Sequence, residues 1–310
     1  MLTPAQLEAA RAGAAVGPVL PAGFLRFRGP DAQAFLHRMA TQDVSRLRPG
    51  EAAYTAFLTV KGHLVAEGHL LAEEGGLLLA VDPAACAEAR AHLERYVVMD
   101  DVQVDELSDA LRVLPVLGPG AAARLAGRGG PRCVTTARRG VPGVDAWLAP
   151  GDAAALRAAL AAEGLPALDE VALDGLRVLG GQARYGPDLD AARLPMEAGL
   201  TGAAISFSKG CYLGQEIVVR ATARGQLQRG LVQLSLPPGV GPGTALRTGD
   251  AEVGVVTSAA DTPEGRVGLG YLRRAHWREG RASSSRRTWA SSSLSSVRVA
   301  RSSARTSSNV

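Results

Sequence analysis

Cysteine is scarce in this chain of 310 residues: Cys86, Cys133 and Cys211 are its three thiols, and they lie far apart. An odd number at such spacing does not read as a disulfide framework and fits a reducing, cytoplasmic setting. No run approaches the roughly 20 apolar residues that a membrane-spanning helix needs. The first residues lack a basic start and an unbroken apolar stretch, and Glu8 argues against an organellar presequence, so an unexported protein with no membrane partner is expected. Familiar site motifs are missing as well: there is no Cys-x-x-Cys, no His-Glu-x-x-His, no glycine-rich loop ending in Gly-Lys-Ser/Thr and no Gly-x-Ser-x-Gly. His63 and His69 sit six apart on an expected hairpin and do not converge, and His37 lies on an apolar helix face as a packing residue. No metal site is expected.

The formal charge of +4 misleads about the folded part. From Arg273 onward the sequence holds nine arginines, one glutamate and serine-rich runs, and without them the body is near −4. Nucleic-acid binding by the body is therefore not implied. The tail, 273–310, reads as a disordered basic arm, a nucleic-acid tail or translation out of frame, the last being favoured by the abrupt change of composition.

A chain of this length exceeds what one hydrophobic core supports, so two or three compact units are expected. Residues 4–14 read as an amphipathic helix and 24–28 as a strand; Gly29-Pro30 breaks it, and Asp31 opens a helix carrying Phe35, Leu36 and Met39 on one face. The pattern returns at 111–117, Gly118-Pro119 and Leu125, which suggests a duplicated αβ unit. Strands at 53–60, 63–72 and 77–81 precede a helix from Pro83 to Tyr96. A strand at 144–149 and helices at 153–162 and 168–179 follow. Short strands at 231–236, 245–247, 251–258 and 266–271, separated by Gly/Pro turns, give the pattern of a small β-barrel. The class expected is α+β. Its parts are a body from 1–50 and 110–228, an inserted α+β layer at 51–109, and a C-terminal β unit at 229–272.

One stretch concentrates chemically distinct side chains between glycines: Lys209-Gly210-Cys211-Tyr212-Leu213-Gly214-Gln215-Glu216. A thiol reacts as its thiolate, favoured by a nearby cation, a helix N-terminus and partial exposure. Lys209 supplies the cation, Gly210 and Gly214 permit close approach, and a helix over 215–223 would turn its first amides toward Cys211. The competing reading is a buried cysteine in a glycine-bounded turn.

The octapeptide resembles the YgfZ family of folate-binding proteins, relatives of the aminomethyltransferase (T-protein) of the glycine cleavage system. Gly29-Pro30-Asp31-Ala32, Thr41-Gln42-Asp43-Val44, 55–62 and Pro195-Met196-Glu197-Ala198-Gly199-Leu200 extend the resemblance over about residues 20–272. It implies an aminomethyltransferase-like folate-binding fold, tetrahydrofolate as cofactor, and iron–sulfur proteins or their assembly machinery as partners. It also implies that Glu197 accepts hydrogen bonds from the pterin edge. Arg220, Arg224 or Arg229 would meet the carboxylate tail, and Tyr185 or Tyr212 would stack on the ring. Cys211 with Lys209 would carry the chemistry, Gln215 and Glu216 orienting the loop. Two departures stand out. The stretch 81–88 lacks the transferases' catalytic aspartate, and Leu179 replaces a glutamate of the pterin side. An accessory role is therefore expected, with a tetrahydrofolate-dependent aminomethyl- or methyltransferase, or a folate-binding scaffold with an inert cysteine, as alternatives.

Overall fold

The computed structural model describes residues 1–128, 130, 132–224 and 227–276, together with the backbone at 298–299. In chain order the first half runs α1 (Pro4–Ala12), β1 (Ala15–Val16), β2 (Gly23–Arg28), α2 (Ala32–Met39), β3 (Ala52–Leu58), β4 (Leu64–Glu73), β5 (Gly76–Val81), α3 (Pro83–Arg95), β6 (Gln103–Glu106) and β7 (Arg112–Leu117). The second runs α4 (Ala121–Leu125), β8 (Cys133–Thr136), β9 (Gly143–Leu148), α5 (Pro150–Ala162), α6 (Glu170–Leu179), α7 (Thr201–Ala204), α8 (Gln215–Arg224), β10 (Arg229–Ser235), β11 (Ala245–Thr248), β12 (Ala251–Thr262), β13 (Gly265–Arg273) and the short β14 (Arg298–Val299).

These strands form three antiparallel sheets, ordered β1-β7-β9-β8, β3-β4-β5-β2-β6 and β10-β13-β12-β11-β14. The second sheet crosses the boundary expected at residue 50: β2 pairs with β5 on one side and β6 on the other, so 51–109 shares a sheet with the N-terminal segment. Phe27, Phe35, Leu36, Leu70 and Leu79 bury the apolar faces of that sheet, α2 and α3 against each other. The apolar-to-polar alternation legible in the sequence has this cause.

Local chemistry explains the element ends. Thr3 and Gln6 form a reciprocal capping box at α1, and Asp82 with Pro83 starts α3. Asp31 precedes α2 as expected but makes no side-chain cap; its carboxylate accepts from the Asp101 amide at 2.8 Å. The duplicated unit is present as β2–Gly29–α2 and β7–Gly118–α4. Both glycines hold positive φ, 113° and 96°, and a Cβ would fall 2.1 Å from the Asp101 carbonyl oxygen or 2.5 Å from that of Gly13. The compositional break expected at 273 falls one residue inside β13; of the tail, 277–297 and 300–310 lie outside the described residues.

A buried polar network joins α6 to the third sheet. Asp188 Oδ2 accepts from Arg177 Nη1 at 2.7 Å and from the Arg184 amide at 3.1 Å, and Oδ1 accepts from Ser258 Oγ at 2.8 Å and from Thr257 Oγ1 at 2.5 Å. Arg177 Nη2 also donates to Ser258 Oγ at 2.9 Å, and Tyr271 Oη donates to the Asp188 carbonyl at 2.9 Å. In β4, His69 lies against the Tyr54 ring at 5.0 Å, and burial lowers its pKa to about 4.

Two outcomes follow. Asp188→Asn leaves the buried Arg177 with the partly exposed Asp174 as its remaining counter-charge and lowers stability by about 3 kcal/mol, read as a reduced urea midpoint at constant slope. Because the unfolded chain protonates His69 near pH 6.5 and the folded chain only near 4, stability falls as pH drops through that window. A His69→Gln variant has a flatter profile between pH 4 and 6.5 by urea titration.

Candidate functional site

The octapeptide loop is held at the C-terminal end of α2. Lys209 is 8% exposed, and its ammonium donates to the carbonyls of His37, Ala40 (2.6 Å) and Gln42 (3.0 Å). The carbonyls at the end of a helix lack intrahelical partners and carry partial negative charge, so a cation there satisfies both needs. The cation expected to serve the thiol is thus engaged with backbone. Burial brings the Lys209 pKa down to about 8. Its ammonium also sits 5.2 Å from the centre of the Tyr212 ring, whose burial pushes the phenol up to about 12. Tyr212 is part of the core beneath the loop, packed with Leu58, Met196 and Val218. That is a packing role, and no face is left for stacking a ligand.

Beyond Lys209 the loop interlocks with the β3–β4 hairpin turn. Gly214 has φ 81°, and a Cβ there would meet the Thr59 carbonyl oxygen at 2.6 Å; Gly62 has φ 74°, and a Cβ there would meet Ile217 Cβ at 2.8 Å. The Leu213 amide donates to the Arg38 carbonyl at 3.1 Å, and the Ser206 amide to Thr41 at 3.0 Å. Cys211 is exposed on this clamped loop, whereas Cys86 is buried. Helix α8 begins at Gln215 as expected, but its first amide is taken by the Tyr212 carbonyl at 3.2 Å. Glu216 and Arg220 face solvent and pair with each other at 2.8 Å, so neither points to a shared site with Glu197; the Arg224 side chain lies outside the described residues.

Glu197 is 6% exposed. Its two carboxylate oxygens accept from Arg229 Nε at 3.1 and 3.2 Å, and Oε2 also accepts from the Leu194 amide at 3.3 Å. Expected to take opposite ends of one ligand, Glu197 and Arg229 are instead brought together as an ion pair. Tyr185 bridges the two cores on either side of β3 and β4, and burial, then Glu88, Asp190 and Asp82, raise its phenol pKa. Leu179 packs against the core of α1 and α6, a different cluster from that around Glu197. In the stretch 81–88, Asp82 serves as the α3 cap, accepting from the Ala84 amide at 3.0 Å.

Sequence reasoning missed a polar group on the same face as Ala56 and Leu58. Tyr54 donates to Glu67 Oε2 at 2.6 Å, and Arg138 lies 4.7 Å over the Tyr54 ring while donating to the Ala183 carbonyl at 2.8 Å. The period of two along β3 and β4, which places Tyr54, Glu67 and His69 on one face, was the available signal. A cavity of about 630 Å³ lined by Arg26, Arg28, Glu73 and Arg132 contains none of the expected site residues. Among the described residues no three His, Cys, Asp or Glu side chains are grouped to hold a metal, and no helix is long and apolar enough to cross a membrane.

The GCVT N-terminal domain family matches residues 3–129. An aminomethyltransferase of Rubrobacter xylanophilus is 32% identical over 295 residues, spanning 86% of this chain and 78% of that protein. The chain belongs to the aminomethyltransferase family. Another relative, 25% identical over 268 residues covering 80% of this chain and 61% of its own length, is a mitochondrial iron-sulfur cluster assembly factor IBA57 homolog of Phaeosphaeria nodorum. The crystal structure of the glycine cleavage system aminomethyltransferase T from Bartonella henselae superposes with a TM-score of 0.77 over 90% of this chain and 85% of that one, at 23% identity. The fold is therefore aminomethyltransferase-like, as the resemblance implied.

Within this family fold, Lys209→Met keeps the aliphatic stem and removes all three donors. Amide hydrogen exchange is expected to accelerate at 37–43 and 206–214 together, with a stability loss of about 2 kcal/mol. Unchanged exchange in both segments would show that Lys209 does not clamp the loop.

Proposed function

We propose that the protein binds a tetrahydrofolate at Glu197 and acts through Cys211 as an accessory factor for iron–sulfur enzymes, in the cytoplasm, as its likeness to YgfZ proteins implies. One observation carries the accessory reading: an exposed thiol on a backbone-clamped loop, with Val60, Phe207 and Val219 exposed on the three segments that flank it. Apolar side chains left in water around a nucleophile suit a protein partner better than a small substrate. The relative named as an iron-sulfur cluster assembly factor supports this reading. A cluster takes about four protein ligands, usually cysteines. With Cys86 buried and three cysteines in all, the thiol would meet a cluster or a thiol that a partner presents.

The Glu197 environment suits a folate. Its buried carboxylate has acceptor capacity beyond the Leu194 amide and the one Arg229 N–H its oxygens share, and Met196, Ala198 and Leu200 supply apolar packing beside it. Bound there, tetrahydrofolate would supply one-carbon chemistry. The chain's own contribution would be to orient the ring through Glu197 and to hold Cys211 in place through Lys209 and Gly214, whereas a Cβ at Gly210 would meet no neighbour.

The 32% identical aminomethyltransferase favours a second reading, a folate-dependent transferase, and the carboxylates of Glu88, Asp190 and Asp82 near Tyr185 offer groups able to move a proton. Calorimetry with tetrahydrofolate should show saturable binding by the native protein and at least about tenfold weaker binding by Glu197→Ala. Cys211→Ser should bind folate normally and fail to restore iron–sulfur enzyme activity in a deficient strain. Full restoration by Cys211→Ser would eliminate the thiol role, and turnover with an aminomethyl donor would establish the transferase.

A further inference from the structure

The proposed pterin contact is already occupied by the protein's own cation. Glu197 has its side chain almost wholly enclosed, while the Arg229 side chain paired with it is 41% exposed. Their backbones are fixed relative to each other, because the Leu231 amide donates to the Glu197 carbonyl at 2.7 Å and Arg229 opens β10. The guanidinium itself is held more lightly. Nε is shared between the two carboxylate oxygens, and Nη2 reaches the Ala192 carbonyl at 3.1 Å.

A guanidinium is a planar array of N–H donors. So is the N–H edge of a cyclic amidine or guanidine such as the aminopyrimidinone ring of a pterin. Arg229 brings one such donor, Nε, to both oxygens, and a ring aligned with Glu197 needs the space that this N–H now fills. The geometry points to Arg229 as a built-in competitor: its side chain imitates the donor edge of the ligand, covers Glu197 in the free protein and must swing away for a ring with that edge to bind. This rests on the reading of Glu197 as the pterin contact. It also sets the class of ligand, since a group with two adjacent donors gives each carboxylate oxygen a donor of its own in place of the one N–H that Arg229 shares between them. A ligand with a single donor or with acceptors at that edge leaves Glu197 better served by Arg229.

The energetic consequence is a conformational tax. Measured affinity equals intrinsic affinity reduced by the fraction of protein with Glu197 uncovered. Arg229→Gln keeps one amide donor for the carboxylate and removes the charge and the planar array. Arg229→Lys keeps the charge and removes the array.

Calorimetric titration with tetrahydrofolate at pH 8 compares native protein, Arg229→Gln, Arg229→Lys and Glu197→Gln, each with its thermal midpoint recorded to establish folding. Arg229→Gln and Arg229→Lys should bind about three- to tenfold more tightly than native protein, and Glu197→Gln should lose binding. Weaker or equal binding by both folded arginine variants, with native binding intact and lost in Glu197→Gln, would overturn the competitor role alone and make Arg229 a contact or support of the ligand. Absence of binding by all four proteins, or undiminished binding by Glu197→Gln, would overturn the pterin reading of Glu197 and the competitor with it.

Discussion

The arrangement depends on a single carboxylate. Asp188 collects donors from α6, from the turn at 184–189 and from β12, while its backbone takes the Tyr271 hydroxyl of β13. An ionised side chain with no exposed surface is tolerable only when every lone pair is engaged and a counter-charge lies alongside. Arg177 meets that condition. Because these partners come from three parts of the chain, satisfying Asp188 fixes the third sheet against α6. It thereby also fixes the segment that runs on from Asp188 to Glu197.

A second, smaller constraint orients the thiol loop. Lys209 is one of two lysines in the sequence, and it is nearly buried. Arginine's fork is too broad to reach three converging carbonyls, whereas an ammonium is a compact donor of three. The loop is therefore placed by the end of α2, the helix that also packs the core of the second sheet. A residue that reads in sequence as an activator of its neighbour is, in space, an anchor for the backbone that carries it. Twenty residues on, Arg229 undergoes a similar change of meaning: it reads as a site cation for a ligand and lies on an acid of its own chain.

The sequence was informative where its signals are local. Period-two alternation and Gly/Pro turns located β3, β4, β5 and β10 to β13, and the Gly-Pro breaks located both copies of the strand–turn–helix unit, because positive φ at Gly29 and Gly118 demands glycine. Short pieces such as β1, β6 and β8 carried too few residues to show a period. The sheet shared by β2 and β3 through β6 was hidden because pairing between distant strands leaves no mark on either strand alone. The candidate site divided in the same way. Cys211 and Tyr212 stood out by type and spacing and Glu197 through the family resemblance, while the partners of Lys209, Arg229 and Asp188, set by folding over tens of residues, did not. Tyr54 and Glu67 come from the second sheet and Arg138 from the turn between β8 and β9, and the three meet only in the folded chain.

The fit of Gly62 against Ile217, and of Gly214 against the Thr59 carbonyl, has an evolutionary consequence. Each glycine is an empty volume shaped by the other segment, so the hairpin turn near Lys61 and the octapeptide change as one unit. Moving the octapeptide into a relative whose turn carries a side chain at the position of Gly62 would transfer the letters of the motif without its shape. In this fold the unit of inheritance for an exposed, fixed thiol is a pair of loops more than 140 residues apart in the chain.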